Sequence, residues 1–439
     1  MSNMTAREIL ALREKYLLPC VMKYFTEPIH IVKGEMEYVY DDKGKRYIDA
    51  FAAVVTVSAG HCHPDIVGKV QEQVGRLQHI TTLYMTESIV LLAKKLAEIT
   101  PGALSKSFIT NSGTEANELA ALLAKNSTGR HEFLGLRHSF HGRTLMSMSL
   151  TGQSIWRHST PYVFGVSHTP SAYCYRCPMG RKYPGCNYEC AREAEEVIKY
   201  STSGKIAALF AEPIQGFGGC VTPPPDYFRI LYDIVKKYGG LFVSDEVQTG
   251  FGRTGEKWFG IESWGVTPDM MTFAKGFGNG VPVGAVITTP EVAASMNGKT
   301  HFSTYGGNPV TCVAALATVE TIEKLNYMEN SKVMGNLFKE HLAEMQKKHP
   351  IIGDVRGMGL MLGIELVKNR ETKEPAAAEM LRVMDLCKDR GVFIGKGGML
   401  GNVVRIKPPM CIKKDSVLEV LKALDESFSI VEKEAGIKY

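Results

Sequence analysis

No stretch of this chain is apolar for long enough to cross a bilayer, which takes about 20 consecutive residues, so the sequence offers no membrane helix. No block of Lys and Arg stands out, and 51 basic against 46 acidic residues leave a net charge of only +5 on 439 residues. So thin a surplus gives no footprint for nucleic acid. The opening stretch, MSNMTAREILALREKYLLPC, lacks the basic-then-apolar order of a secretory signal. It mixes both charge signs and reads as an amphipathic helix. Internal repeats, low-complexity tracts and Ser/Gly linkers are missing too. Ten cysteines in a long chain without an export signal predict reduced thiols and a cytoplasmic protein.

What is present is ordinary globular composition, 44% hydrophobic and 22% charged, on a chain long enough for a large core. The middle alternates short apolar runs with helical periodicity, the pattern of an α/β domain. Several of those runs end in chemistry. SKSFIT leads into Asn111-Ser112-Gly113-Thr114, KIAALFAE delivers Glu212, GGLFVSDE delivers Asp245 and Glu246, and DMMTFAK delivers Lys275. Open α/β sheets bind ligands at the carboxyl ends of their strands, so these ends predict one site assembled from distant segments. PPDYFRILYDIVKKYGG predicts a crossover helix capped by Asp226, with Phe228, Leu231, Ile234 and Val235 on its apolar face and Gly239 as its stop. From about Asn326 the character changes to amphipathic helices around short strands, a smaller α+β domain. The expected organisation is a segment 1–49 packing with the small domain, a large domain 50–325 and a small domain 326–439.

Each candidate residue has a plain reading beside the chemical one. Ser112 with Glu115 three residues on is a capping box, hence a good helix start. The free N–H groups of Gly113 and Thr114 and the helix dipole would also favour a phosphate. Asp245 at a buried strand end needs a partner; that partner is a structural cation or the protonated ring nitrogen of a cofactor. Most lysines are solvated, but a desolvated Lys275 would have a lowered pKa and could form a Schiff base. Lysine, aspartate and phosphate-binding helix start together are the three grips pyridoxal phosphate needs.

The motifs NSGTEAN, SFHGRTL, AEPIQG, VSDEVQTGFGRTG, PDMMTFAKGFGNGVPVGAV, STYGGNP, DVRGMGLMLGIEL and RIKPP, in this order and nearly end to end, resemble the class III pyridoxal-phosphate-dependent aminotransferases of fold type I. The segments GDVRGMGLMLGIELV and RIKPPMCI lean toward the alanine–glyoxylate and ω-amino acid branch. The resemblance implies a fold type I enzyme, with a large domain on a mixed, mostly parallel sheet and a smaller α+β domain. It implies that Lys275 bonds the cofactor and shuttles the proton, and that Asp245 keeps the pyridine nitrogen protonated. Val247 packs on the ring, Gln248 meets the ring hydroxyl, and Ser112, Gly113 and Thr114 hold the phosphate. Phe140 stacks over the ring where many relatives have tyrosine, with His141 and Glu212 beside it. Thr304 reaches the phosphate of the neighbouring subunit, which implies a homodimer or a tetramer. Arg405 takes the α-carboxylate, Glu212 pairs with Arg405 when that carboxylate is absent, and Arg143 matches a position that meets a second carboxylate in the 4-aminobutyrate and acetylornithine enzymes. A surface or subunit-interface arginine is the plain reading of Arg143.

Three expectations remain. His61 and His63 in GHCHPDI are structural or interface residues rather than a metal pair. Cys174, Cys177, Cys186 and Cys190, spaced C-x2-C, x8, C-x3-C, could form a zinc or iron–sulfur knuckle, but an insertion loop with free thiols is preferred and no metal is expected. The reaction expected is ping-pong transfer of an amino group from alanine or an ω-amino acid to glyoxylate, pyruvate or 2-oxoglutarate. The alternatives are a 4-aminobutyrate or ornithine-type transaminase, a racemase, epimerase or decarboxylase on the same fold, and a metal-binding interaction protein built on the cysteine loop.

Overall fold

The short apolar runs become the centre of a seven-stranded sheet in the computed structural model, which describes residues 4–158 and 162–438. Its order is Lys106–Thr110, Gly284–Thr288, Met270–Phe273, Leu241–Asp245, Ala208–Ala211, Phe133–Leu136, Val166–Thr169. Only Gly284–Thr288 runs against both its neighbours; the other strands share one direction. The chain segments after Thr110, Ala211, Asp245 and Phe273 therefore leave the sheet along one edge. Strands 133–136, 208–211 and 270–273 are buried at every position, as a sheet covered by helices on both faces requires.

The Tyr227–Lys237 helix is the expected crossover between the Glu212 and Asp245 strands, and it buries Phe228, Leu231, Ile234 and Val235. Asp226 stands at its N-cap position but makes no side-chain cap. Its carboxylate instead accepts from the Tyr188 hydroxyl at 3.0 Å, which draws it away from the helix amides. The N-terminal helix spans Ala6–Tyr16, closed by a Thr5/Glu8 capping box; residues 1–3 of that reading lie outside the described residues. None of the described helices is long and apolar enough to cross a membrane.

Past Asn326, whose φ of 52° turns the chain between two helices, an antiparallel sheet forms. It runs Ile352–Met358, Met361–Asn369, Val403–Ile406, Gly395–Gly397, beside the helices Tyr327–Lys348, Ala377–Asp389 and Lys414–Ala435. The N-terminal strands Tyr38–Asp41 and Arg46–Asp49 pair as a hairpin. The second of them also pairs in parallel with Val392–Phe393, which ties the N-terminal segment to this C-terminal region.

Candidate active site

At the carboxyl edge, Asp245 is buried and firmly held. Its Oδ2 accepts from His141 Nδ1 at 2.7 Å and Asn117 Nδ2 at 2.8 Å, and Oδ1 accepts from the Val247 amide at 3.1 Å. Asn117 is oriented in turn, because its own carbonyl accepts from Thr272 Oγ1 at 2.8 Å. A carboxylate offers only acceptors, so His141 carries its proton on Nδ1, and its buried Nε2 has no partner.

Lys275 follows the Met270–Phe273 strand with φ +50°. A non-glycine residue in the left-handed region is strained, and here the strain turns the side chain back over the strand ends. Burial lowers its pKa to about 8, while the Asp245 and Glu212 carboxylates work against that shift. The amine lies 5.7 Å from the centre of the Phe217 ring.

The helix Gly113–Thr128 begins beside it. Ser112 Oγ accepts from the Glu115 amide at 3.2 Å, but the reciprocal half of the expected box is replaced. The Glu115 carboxylate takes the Asn111 amide at 3.1 Å and the Asn111 side chain at 3.0 Å. The amides of Gly113 and Thr114 meet no acceptor among the described residues and face the site with the positive end of the helix. A Cβ on Gly113 would come within 2.9 Å of Val247 Cγ2, so only glycine leaves the slot open.

Glu212 is buried, and burial raises its pKa although the neighbouring His141 lowers it. Its carboxylate accepts from the Phe140 amide at 2.8 Å and the Gly216 amide at 2.9 Å. The Glu212 and Arg405 side chains form no ion pair with each other; Glu212 bonds the two backbone amides and Arg405 the Gly216 carbonyl. Arg405 is buried as well. Its Nη1 donates to Gly216 O at 3.3 Å, its Nε has no hydrogen-bond partner among the described residues, and its guanidinium lies between the rings of Phe51 (4.7 Å) and Phe217 (4.8 Å). Burial lowers its pKa, partly offset by Tyr24. Phe140 packs on Phe217 and Trp156, with ring centroids 4.7 and 5.2 Å away.

All the predicted cofactor residues except Ser112 and Thr304 line one cavity of about 110 Å³. Ser112 caps the adjoining helix. Thr304 is exposed, as is Arg143, and neither lines the cavity. A roomier cavity, about 230 Å³ between Lys106–Phe108 and Val286–Thr288, opens at the other edge of the sheet and holds no carboxylate, so size alone does not choose the site. Sequence reasoning missed Asn117, Phe51, Trp156, Phe217 and Lys407. Asn117, a polar residue on the buried face of the Gly113 helix, was the one with a readable signal.

His61 bonds Asp49 at 2.9 Å and His63 faces the Tyr327 hydroxyl at 3.3 Å. Cys174, Cys177, Cys186 and Cys190 border one small cavity of about 10 Å³, and burial pushes Cys190 up to about 12. Among the described residues no group of three or more His, Cys, Asp or Glu is arranged to hold a metal ion.

Known proteins resemble this chain over nearly its whole length. The class-III aminotransferase family profile matches residues 22–428. The chain is 46% identical over 425 residues to alanine–glyoxylate aminotransferase 2 homolog 2, mitochondrial, of Arabidopsis thaliana, covering 97% of this chain and 88% of that protein. It is 38% identical over 433 residues to a leucine/methionine racemase of Thermococcus litoralis, covering 97% and 96%. The solved structure of an amine transaminase from an uncultivated Pseudomonas species, in its PLP-bound form, superposes with a TM-score of 0.88 at 28% identity, covering 95% of this chain and 99% of that one. The fold is that of the fold type I pyridoxal-phosphate enzymes, and the family implies that cofactor. By that family match and that identity, the chain belongs to the class III aminotransferases.

Proposed function

We propose that this enzyme moves an amino group from alanine or an ω-amino acid to a 2-oxo acid (glyoxylate, pyruvate or 2-oxoglutarate) in two half-reactions. The observation that carries this reading is Arg405, a buried guanidinium flattened between two rings beside the Lys275 cavity with its Nε unpaired. Such a planar fork suits a carboxylate, and both alanine and a 2-oxo acid present one next to the reacting carbon.

The residues present fit pyridoxal 5'-phosphate. The unpaired amides at Gly113 and Thr114 would hold the phosphate, Val247 and Phe140 would flank the flat ring, and Asp245 would meet the ring nitrogen. When bound, the cofactor supplies a carbonyl carbon that captures an amine and a ring that accepts an electron pair. Asp245, itself fixed by His141 and Asn117, favours a protonated ring nitrogen and so strengthens that acceptor. Lys275, lowered to about 8, keeps a usable neutral fraction near pH 7, so it can take a proton from the substrate carbon and deliver it to the cofactor's carbonyl carbon. Phe140, Trp156 and Phe217 close one side against water. Glu212, held by two amides, stays in place whichever substrate enters. Arg143 lies outside the cavity, which favours donors lacking a second carboxylate over 4-aminobutyrate-type pairs.

Thr304 sits among exposed apolar side chains (Phe302, Tyr305, and nearby Leu83, Tyr84 and Met85). A patch of that kind supports a homodimer in which Thr304 serves the other subunit's phosphate site. All ten cysteines are unpaired, which supports a reducing compartment such as the cytoplasm.

A second reading, amino-acid racemisation, is favoured by the 38% identity to the leucine/methionine racemase. One experiment tests both. Single amino donors are added to the yellow holoenzyme without an oxo acid. Bleaching that an oxo acid reverses identifies transamination and its donor class. A band that shifts without bleaching, while the amino acid loses optical activity, overturns it in favour of racemisation.

A further inference from the structure

Lys407 is the least expected residue of the region. It follows the Val403–Ile406 strand and is fully buried, and its backbone amide is pinned to Ala50 O at 2.8 Å. It leaves the chain two residues after Arg405 and so on the same face. Lys407 does not line the cavity; it stands behind Gln248, which does. Its amine donates to Gln248 Oε1 at 2.9 Å, and no carboxylate pairs with it.

We propose that Lys407 is a positioning residue that fixes which end of the Gln248 amide faces the cofactor ring. The argument rests on the cofactor reading above and on the inventory of donors. The amine meets Gln248 as the donor, so the atom it meets is the amide oxygen, and the amide nitrogen must turn the other way. Gly216 holds the plane of that amide: a Cβ there would fall 2.3 Å from the Gln248 Cδ, Oε1 and Nε2 atoms alike. Rotation about the last bond is then the one freedom left to Gln248, and Lys407 removes it.

The consequence is chemical. With its oxygen committed to Lys407, Gln248 presents N–H, not C=O, to the cavity. A donor stabilises an ionised ring oxygen, whereas an acceptor would demand a protonated one. Lys407 therefore sets the ionisation of the ring hydroxyl without touching the ring.

The test is the pH titration of the visible absorption band of the resting holoenzyme, with no substrate present. In Lys407→Met the midpoint should rise by roughly one pH unit, since donor and charge are lost together, and the cofactor dissociation constant should rise roughly tenfold. Lys407→Gln, which keeps a neutral donor, should restore most of the midpoint. In a Gln248→Leu background, Lys407→Met should shift the midpoint much less, because the amide through which it acts is gone. An unchanged midpoint in both Lys407 variants, or an equal shift with and without Gln248, overturns the proposal. If Lys407→Met fails to fold, Lys407→Gln against Gln248→Leu decides alone: a wild-type midpoint in the first and a raised one in the second supports the proposal, and a raised midpoint in both overturns it. A wild-type protein that shows no visible band with added cofactor overturns the cofactor reading itself, and this inference with it. A normal wild-type band with unmoved variants overturns this inference alone.

Discussion

Two buried clusters of charge lie on the same small antiparallel sheet and are built in opposite ways. In the first, Arg356 donates to Asp354 at 2.7 Å, to Glu365 at 2.8 Å, to the Tyr173 hydroxyl at 3.2 Å and to Gly219 O at 2.9 Å. Glu365 accepts from Tyr173 and Arg176 as well. Every charge there has an opposite charge or a strong donor beside it. In the second, Arg405 has a backbone carbonyl and the neighbouring Tyr24 hydroxyl, and Lys407 a single neutral amide, with no carboxylate bonded to either among the described residues. A buried cation without a counter-charge is costly. The fully paired cluster clamps the Cys174–Arg176 turn to the sheet and asks for nothing further. The under-paired cluster, with Lys275 added, outnumbers the carboxylates of Asp245 and Glu212. It is completed by anions that arrive with the chemistry, a substrate carboxylate and an ionised ring oxygen.

The comparison breaks most visibly at Lys275. Lys275→Ala should lower turnover by about four orders of magnitude, while the thermal midpoint of the protein without cofactor stays near wild type. Substantial amine-driven bleaching in that variant would refute the active-site assignment. Next in size is the paired cluster. Glu365→Ala leaves Arg176 without its carboxylate and Arg356 with Asp354 alone, and should cost about 3 kcal/mol in urea unfolding, with the holoenzyme's absorption spectrum unchanged. Were Glu365→Ala to shift the spectrum without loss of stability, the division between the clusters would be wrong. Arg405→Ala should weaken 2-oxo acid binding roughly 100-fold, or about 3 kcal/mol of charge-assisted hydrogen bonding, and leave amine donors without an α-carboxylate nearly untouched. Equal losses for both substrate types would mean that Arg405 supports the fold rather than the carboxylate.

The parts legible in the sequence were those written in local pattern. Short apolar runs with polar ends placed Glu212, Asp245 and Lys275 on one edge, because strand burial and strand termination are both local. The direction of Gly284–Thr288 was not legible, since a strand buried on both faces has no periodicity that tells up from down. The capping box at Ser112 was half right: the residue types allow the reciprocal bond, but Asn111 competes for Glu115, and single-residue competition leaves no trace in a motif. The family resemblance supplied the cofactor residues, yet not the Glu212–Arg405 geometry, in which Glu212 bonds two backbone amides and Arg405 a backbone carbonyl. Lys407 and Gln248 lie 159 residues apart, and one sequence without relatives says nothing about such a pairing.

The smallest expected effect separates the clusters without any turnover. Burial lowers the Lys407 amine to about 7; Cys220 opposes that shift, Arg405 and Lys275 add to it, and Glu212 opposes it weakly. An unfolded lysine titrates near 10.4. Between those values the unfolded chain holds nearly one proton more than the folded one, so stability rises with pH, by up to about 1.4 kcal/mol per unit for this one group. The paired cluster is silent there. Burial alone would raise Glu365, but Arg356, Tyr173 and Arg176 hold it below the usual carboxylate value, and Arg356 stays above its own. Buried thiols such as Cys312 and Cys387, pushed up to about 12, bend the curve the other way only above the ordinary thiol range. Urea unfolding of the protein without cofactor at pH 7, 8 and 9 should therefore show a slope about one proton steeper in wild type than in Lys407→Met, with Glu365→Gln keeping the wild-type slope. Equal slopes in wild type and Lys407→Met would mean that the amine keeps its proton inside the protein. The second cluster would then be as well satisfied as the first, and under-pairing would no longer mark the site.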